Sequence, residues 1–349
     1  MTRPVRLLVL TLLATISLSS VVSAAEKPVK VFILAGQSNM EGKAQIALLE
    51  SQLADPKTKA EFQHLRPDGE WLFRKDVWIK YLDRKGDLTV GFGSPKRIGP
   101  ELEFGIAVGD HFDEQVLIIK TAWGGKSLYR DFRSPSAGAP DAEHVQQLLT
   151  NARKRKPETT QAEIEESFGF YYRAMLSEIR DTLEHLGENF PGYQGQGYEL
   201  AGFVWFQGWN DMVNDDYTAA YEENMVHFIK DVRRELKSPE LPFVIGVLGV
   251  GGVTGSTDEK PNPKRDAFKT AQAAAGTRPE FQGNVAVVQT DQFWDVAAYN
   301  VFKTGWREHF DEWQKIGSDY PFHYLGSVRT YGAIGKAFGQ AVLKLQAHQ

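Results

Sequence analysis

Five short apolar runs, each followed at once by small or polar residues, dominate the sequence pattern. They lie at 29–34, 115–121, 199–206, 242–248 and 284–290. Short runs without polar alternation are typical of strands that are buried on both faces. Segments with helical periodicity separate the runs, so the pattern predicts a five-stranded parallel sheet with right-handed crossovers and helices on both faces.

Helical periodicity is clearest in five segments, namely 101–112, 164–186, 217–237, 266–275 and 328–347. Segment 41–87 mixes polar residues with scattered aromatic ones, which predicts loops and a short hairpin near 71–81. Segment 131–163 is rich in Pro, Ser, Gly, Ala and charged residues. Because it is too long for a simple connection, we expect it to form a surface excursion near a functional site.

The residues that follow the apolar runs carry candidate chemistry. They are Gln37 and Ser38 after the first run, Gly124 and Gly125 after the second, 207–211 after the third and Asp291 after the fifth. Parallel strands end at one edge of a sheet, so we expect these residues to converge there. A hydroxyl, glycine amides, an amide side chain and carboxylates are suited to attack an acyl carbon and hold its oxyanion. The alternative for Ser38 alone is a helix N-cap.

A serine nucleophile needs a general base, and two of the eight histidines are candidates. Both His309 and His323 follow the fifth apolar run. His323 lies in a proline-containing loop directly before the last helical segment, where a short loop can return it to the edge of the sheet. We therefore prefer His323.

The N-terminal residues have the order of a secretory signal peptide. Basic residues at 3 and 6 precede an apolar run over 7–22 and small residues at 22–25. We expect residues 1–24 to be a signal peptide and 25–349 to form one secreted or periplasmic domain, with an uncleaved anchor helix as the alternative. No later segment is long and apolar enough to span a membrane.

Composition excludes several classes of function. The chain has no cysteine, so thiol catalysis and zinc-thiolate sites are excluded and the nucleophile must be an oxygen. The formal net charge is −5, with acidic and basic residues interspersed, which argues against a nucleic-acid partner.

Four motifs, taken in chain order, resemble a known family. GQSNM occurs at 36–40, WGGKS at 123–127 and WFQGWND at 205–211, and a late histidine precedes the terminal helix. Together they resemble the sialate O-acetylesterase and acetylxylan esterase group of SGNH hydrolases, the carbohydrate esterase family six type. The resemblance implies a three-layer α/β/α domain. It also implies an esterase that deacetylates an oligo- or polysaccharide through an acetyl-serine intermediate, without a metal or cofactor.

The resemblance implies a role for each matching residue. Ser38 is the nucleophile and His323 the base, with a carboxylate that orients the imidazole. Asp319 is the preferred carboxylate, Asp211 the second choice and Asp291 the third; a Ser-His dyad remains open if none serves. The implied oxyanion donors are the backbone amides of Ser38 and of Gly124 or Gly125, and the side chains of Gln207 and Asn210.

Two positions depart from the family pattern. Trp209 follows the Gln-Gly pair, where members often carry Glu, and Asp319 lies four residues before His323 rather than three. These departures favour an alternative function, that of a catalytically weak or inactive esterase-like carbohydrate-binding protein. A peptidase or lipase of the α/β-hydrolase type fits poorly, because GQSNM is not a G-x-S-x-G elbow.

Several residues near the same edge are candidates for binding a glycan. Aromatic side chains can stack on sugar faces and cations can contact acidic groups, with core packing and surface solvation as the alternatives. The candidates are Gln37, Trp71, Trp123, Lys126, Arg130, Arg133, Trp209 and Trp306. Sialate, xylan and other acetylated polysaccharides remain equal candidates for the substrate.

Overall fold

The computed structural model describes residues 27–257 and 260–347. The predicted signal peptide, residues 1–24, lies outside the described residues. Within the described ranges, none of the helices combines the length and apolar character needed to cross a membrane.

Seven strands form one sheet. The strands of the chain are β1 Val29–Gly36, β2 Ala44–Gln45, β3 Arg74–Tyr81, β4 Arg84–Leu88, β5 Arg97–Ile98, β6 Val116–Ala122, β7 Tyr198–Phe206, β8 Phe243–Val247 and β9 Val285–Gln289. The sheet has the order β4-β3-β6-β1-β7-β8-β9, and β2 pairs with β5 separately. All neighbours in the sheet are parallel except β3 and β4.

The five predicted strands are confirmed, but the predicted strand count is wrong. The hairpin expected near 71–81 forms as β3 and β4 and joins the sheet instead of remaining in a loop region. Val77 and Ile79 on β3 are buried, and β3 pairs in parallel with β6. The hairpin therefore extends the sheet at one edge.

Fourteen helices occur in the described residues. They are α1 Ser38–Glu41, α2 Ile46–Ala54, α3 Lys59–Phe62, α4 Glu101–Gly109, α5 Ala142–Arg153, α6 Gln161–Ser167, α7 Phe170–Glu184, α8 Leu186–Asn189, α9 Trp209–Met212, α10 Asp215–Glu235, α11 Pro263–Ala275, α12 Val296–Lys303, α13 Phe310–Trp313 and α14 Val328–Gln346. Short 3-10 turns occupy Gln63–Leu65, Pro67–Gly69, Pro135–Ala137, Pro279–Phe281, Thr290–Phe293 and Pro321–Gly326.

The prediction of one helix over 164–186 is wrong. Gly169 has a φ of 68°, a left-handed conformation that glycine adopts without steric cost, and it separates α6 from α7. The segment 131–163, expected to be a surface excursion, contains α5 and the start of α6. Its residues Val145 and Leu149 form a small hydrophobic cluster with Ile164 and Phe168, separate from the main core.

β1 occupies the centre of the sheet, between β6 and β7. From β1 the chain passes to β6 on one side and later to β7 on the other, so the space between the ends of β1 and β7 is a topological switch point. The register pairs Gly36 with both Ala122 and Phe206. The chain leaves the sheet at the same height after each of these three strands. Two residues beyond the paired positions lie Ser38, Gly124 and Gly208.

Gly36 allows β1 and β7 to approach closely where they end. Its φ is 154°, and a Cβ built on it would lie 2.1 Å from the Phe206 carbonyl oxygen. Only glycine fits this position without displacing the backbone. The position of Ser38 therefore depends on Gly36.

A wholly buried lysine on β6 supports the end of α1. Lys120 Nζ donates to Glu101 Oε2 at 2.7 Å and to the carbonyl oxygens of Glu41 and Phe92, both at 2.8 Å. Burial lowers the pKa of Lys120, and the neighbouring Glu101 carboxylate opposes that effect. The ion pair thus joins β6, α4 and the residue at which α1 ends.

Replacing Lys120 by Met should destabilise the fold strongly, because the buried Glu101 carboxylate would lose its cation. We expect the free energy of unfolding, measured by urea denaturation, to fall by about 3–5 kcal/mol. The control Lys75→Met removes an exposed lysine on β3 and should change it by less than about 0.5 kcal/mol. Adding Glu101→Gln to Lys120→Met should restore part of the loss. An unchanged unfolding midpoint for Lys120→Met would contradict this account.

Candidate active site

Ser38 lies at the switch point with its polar groups unengaged. Gln37 occupies the position before the helix, so the N-cap alternative for Ser38 is wrong. Ser38 is 8% exposed, and its hydroxyl makes no hydrogen bond to any described residue. As the first residue of a helical turn, it also has a backbone amide without an intrahelical acceptor. Both groups can therefore serve a bound ligand.

Gln37 joins the end of β1 to the segment after β7. Its Oε1 accepts from the Gly208 amide at 3.0 Å and from Gln207 Nε2 at 3.2 Å, and its Nε2 donates to Asn210 Oδ1 at 3.2 Å. The residue is only 2% exposed. These contacts do not support the expected binding of substrate by Gln37; they show that it fixes the geometry around Ser38.

Gln207 and Asp211 hold the loop that follows β6. Gln207 Nε2 donates to the Lys126 carbonyl at 2.9 Å and to Asp211 Oδ2 at 2.5 Å. Asp211 is fully buried and also accepts from the amides of Leu128 and Tyr129, at 2.9 and 3.0 Å. Burial raises the pKa of Asp211 to about 7, against the hydrogen bonds that favour its ionised form.

These contacts correct two expectations. The Gln207 amide group is already engaged and is not available as an oxyanion donor. Asp211, the second choice for the triad acid, orders the loop instead and makes no hydrogen bond to His323 in the described part of the chain. The third choice, Asp291, pairs with Lys269 at 2.6 Å.

The preferred acid and base meet directly. His323 Nδ1 lies 3.1 Å from Asp319 Oδ1, and the Tyr320 amide donates to the same oxygen at 2.7 Å. Burial acts to raise the pKa of Asp319, but the hydrogen bonds from His323 and Tyr320 hold it below its usual value. The Asp319 carboxylate is therefore ionised at neutral pH, as a residue that orients an imidazole must be. His309, the other candidate base, is exposed.

A left-handed turn after His323 accommodates the extra residue between the acid and the base. Tyr324, Leu325 and Gly326 have φ values of 49°, 60° and 59°. The Leu325 carbonyl accepts from the amides of Ser318 and Asp319 at 2.7 and 3.0 Å. The chain thereby curls back on itself and places Asp319 beside His323 despite the four-residue spacing.

The Tyr324 side chain anchors this turn in the core. Its ring is fully buried, the Gly249 amide donates to its hydroxyl at 2.7 Å, and Thr290 Oγ1 lies 2.6 Å from that hydroxyl. Left-handed conformations of non-glycine residues persist only where the surroundings enforce them. The ends of β8 and β9 provide this constraint.

Two residues that the sequence analysis did not assign connect Ser38 with His323. Asn39 Nδ2 donates to the Phe322 carbonyl at 3.2 Å. Tyr331 on α14 donates to Asn39 Oδ1 at 2.8 Å and contacts the His323 carbonyl at 3.3 Å. The neighbours of nucleophile and base are thus bonded to each other. The GQSNM motif contains Asn39, so the sequence could have indicated a role for this residue. Nothing in the local sequence distinguishes Tyr331 from a core residue.

Of the two glycine amides expected as oxyanion donors, only one is free. The Gly124 amide donates to Glu41 Oε1 at 2.7 Å, so the structure does not support Gly124 as a donor to substrate. Gly125 is exposed, has a φ of 71° and makes no amide hydrogen bond to a described residue. Asn210 accepts from Gln37 through Oδ1, while its Nδ2 has no partner among the described residues.

The remaining candidates for substrate binding lie on two sides of Ser38. Trp123 packs on Tyr171, with ring centroids 5.3 Å apart, and Lys126 Nζ lies 4.3 Å from the Tyr171 centroid. Trp209 contacts Phe322 on the other side, at 5.6 Å. Arg130 has a different role: it donates to Ser167 Oγ at 2.8 Å and so attaches α6 to the loop after β6.

Metal-ligating side chains do not cluster at this site. In residues 27–257 and 260–347, no group of three or more His, Asp or Glu side chains has an arrangement that could hold an ion. The groups present are a hydroxyl, an imidazole paired with a carboxylate, and unengaged amide donors. They suit acyl transfer to an oxygen nucleophile.

Two solved structures share this fold. One is a protein from Arabidopsis thaliana, with 16% identity over 90% of this chain and 98% of that chain and a TM-score of 0.50. The other is a carbohydrate acetylesterase from Xanthomonas citri, with 13% identity over 92% of this chain and 57% of that chain and a TM-score of 0.51. No curated protein matches the chain by sequence.

A family model provides the assignment. The model for carbohydrate esterases described as sialic acid-specific acetylesterases matches residues 28–295, which is more than half of the chain. The match includes the motifs that contain Ser38, Gly125 and Asn210, and it ends before the loop with Asp319 and His323. The chain therefore belongs to this carbohydrate esterase family, and the protein is an esterase.

Proposed function

We propose that the protein is an exported serine esterase that removes O-acetyl groups from a carbohydrate through an acetyl-serine intermediate. One arrangement supports this proposal above all: Asp319 pairs with His323, and a hydrogen bond joins Asn39, the residue after Ser38, to Phe322, the residue before His323. Export is proposed from the signal-peptide pattern of residues 1–24.

In the first step, Ser38 Oγ attacks the acetyl carbonyl carbon. His323 accepts the hydroxyl proton on Nε2, since Nδ1 faces Asp319 and donates its proton there. The carboxylate fixes this tautomer and stabilises the imidazolium that forms. The carbonyl oxygen gains negative charge as the tetrahedral intermediate develops.

Three donors are available to that oxygen. They are the backbone amides of Ser38 and Gly125 and the Nδ2 group of Asn210, none of which is engaged by another described residue. Donors fixed in advance stabilise developing charge without reorganising during the reaction. Gln37 holds Asn210 in place through its Oδ1, so the orientation of this donor is determined by the fold.

The intermediate collapses when the bond between the acyl carbon and the sugar oxygen breaks. The His323 imidazolium gives its proton to that oxygen, which leaves as a sugar hydroxyl. Water then attacks the acetyl-serine while His323 accepts one of its protons. His323 returns this proton to Ser38 Oγ as the acyl bond breaks, and the product leaves as acetic acid, which ionises to acetate and a proton in solution. Atoms and charges balance over one turnover.

The substrate class follows from the family and from the side chains around Ser38. The family description names sialic acid, and one structural relative is a carbohydrate acetylesterase. Trp123 and Trp209 follow β6 and β7, the strands on either side of β1, and their aromatic faces suit a sugar ring. We therefore include acetylated sialates and acetylated oligo- or polysaccharides among the substrates.

One observation favours the alternative of a weak or inactive carbohydrate-binding protein. The Ser38 hydroxyl has no hydrogen-bond partner among the described residues, His323 included. Catalytic hydrogen bonds are often loose without substrate and tighten in the Michaelis complex, so this geometry is also that of an active esterase. Measured acetate release decides between an active esterase and a carbohydrate-binding protein.

Replacing Ser38 by Ala should abolish acetate release from a panel of acetylated sialates, xylo-oligosaccharides and aryl acetates. The expected loss in kcat is at least about a thousandfold, because the acyl-enzyme cannot form. The control Ser177→Ala removes an exposed serine on α7 and should retain full activity. If folded Ser38→Ala protein releases acetate at the wild-type rate, the mechanism is wrong.

Replacing Asp319 by Asn should identify the triad acid. An uncharged amide cannot hold the imidazole in the same tautomer, so we expect kcat to fall by about 10²–10⁴-fold. Since the pKa of Asp319 lies below its usual value, the wild-type carboxylate is charged at neutral pH, and the loss measured there reports the removal of that charge.

The variant Asp211→Asn is the matched comparison. It replaces a buried acceptor of amide hydrogen bonds, so it should lower the unfolding midpoint more than Asp319→Asn does. Full activity of Asp319→Asn together with an inactive but folded Asp211→Asn protein would instead make Asp211 the acid.

A further inference from the structure

A cleft that the proposed mechanism does not use opens beside Asp319. Its volume is about 430 Å³, and residues from α2, β5, α12, α13 and 317–320 line it. One wall is aromatic, formed by Phe302, Trp306, Phe310, Trp313 and Tyr320. Phe310 and Tyr320 are 50% and 45% exposed, so the wall presents a contiguous apolar surface to solvent, which is typical of a binding site.

The aromatic wall continues to the catalytic base. The Trp306 and Tyr320 rings meet edge to face with centroids 6.3 Å apart, and Tyr320 stacks on Phe322 at 5.5 Å and 7°. Phe322 in turn contacts the His323 ring at 4.5 Å and Trp209 at 5.6 Å. An uninterrupted row of rings therefore connects the cleft with the site where the ester must lie.

Polar groups border the aromatic wall. Gln45, Ser51, Gln314 and Ser318 line the cleft and supply amide and hydroxyl groups. Arg97 also lines the cleft, with a guanidinium nitrogen 3.9 Å from Asp319 Oδ2, and its Nε has no hydrogen-bond partner within the described ranges. Aromatic faces with a few polar groups at their edge complement a pyranose ring, which has apolar C–H faces and hydroxyls around its rim.

Continuity with His323 determines the occupant. The row of rings lets one molecule occupy the cleft while its acetyl ester lies at Ser38. The part in the cleft is then covalently linked to the acetylated sugar. The remainder of the same glycan chain meets that requirement.

We propose that the cleft binds a further sugar unit of the chain that carries the acetyl ester. The enzyme is thereby specific for oligo- or polysaccharides over acetylated monosaccharides. This inference rests on the proposed function and adds a second sugar-binding position, with Trp306 and Tyr320 as its stacking platform.

Chain-length dependence tests the proposal. Acetate release is measured on acetylated xylose and acetylated xylo-oligosaccharides, and on sialic acid acetates with and without an attached oligosaccharide. Each kcat/KM is divided by the value of the same enzyme on 4-nitrophenyl acetate. For at least one sugar, the oligosaccharide should exceed the monosaccharide by about tenfold or more, as expected for an additional aromatic contact.

Two variants assign this preference to the cleft. Trp306→Ala and the more exposed Tyr320→Ala should each reduce the ratio of oligosaccharide to monosaccharide kcat/KM by about tenfold. Thermal unfolding verifies that each variant is folded. If Trp306→Ala does not fold, Tyr320→Ala alone provides the test. The control Tyr198→Ala removes an exposed tyrosine at the amino end of β7. Ser38 lies beyond the carboxyl ends of the strands, so this variant should leave the ratio unchanged.

The outcomes separate this inference from the proposed function. If acetate is released equally from monosaccharides and oligosaccharides, or if both cleft variants keep the wild-type ratio, the cleft proposal is overturned while the esterase mechanism stands. If 4-nitrophenyl acetate is cleaved but no acetylated carbohydrate is, the carbohydrate substrate fails and this inference fails with it.

Discussion

The hydrogen bond from Asn39 to the Phe322 carbonyl joins two segments that are 283 residues apart in sequence. One segment ends the central strand and carries Ser38; the other precedes α14 and carries His323. This bond fixes the two segments relative to each other. Tyr331 reinforces it by donating to Asn39 from the buried face of α14. The relation between nucleophile and base is thus set by contacts of their neighbours.

Each half of the site is held by its own constraint. Gly36 lets β1 end against the β7 backbone, and Gln37 then connects that end to Gly208 and Asn210. On the other side, the left-handed turn at 324–326 brings the Asp319 carboxylate next to the His323 imidazole. The buried Tyr324 ring keeps the turn in that conformation. The enclosed polar residues therefore position the catalytic groups, while the Ser38 hydroxyl itself makes no hydrogen bond to a described residue.

Features that depend on the local pattern of apolar and polar residues could be predicted from the sequence. Uninterrupted apolar runs identified five of the seven strands of the sheet, and the residues after them identified Ser38 and its position at the end of β1. The β3–β4 hairpin was misjudged because its outer strand, RKGDL, is polar and gains its place only by pairing with β3. The break at Gly169 was hidden within apolar periodicity that continues on both sides.

Residue roles at the site were harder to predict, because they depend on which polar groups find partners. Gln207 and Gly124 match the family motifs, yet Asp211 and Glu41 engage them in the fold. Conversely, the four-residue spacing of Asp319 and His323 departs from the motif, but a left-handed turn compensates for it. Which polar groups pair depends on how the loops fold, and the local sequence carries no signal for that.

The central claim is that the fold activates Ser38 through His323. An organophosphonate reacts only with an activated serine, so peptide mass spectrometry after exposure to a fluorophosphonate tests the claim directly. The account predicts a covalent adduct on Ser38 in the wild-type protein and none in folded His323→Ala protein after the same exposure. Folded wild-type protein that remains unlabelled at Ser38 would contradict the account and favour a carbohydrate-binding protein without esterase activity.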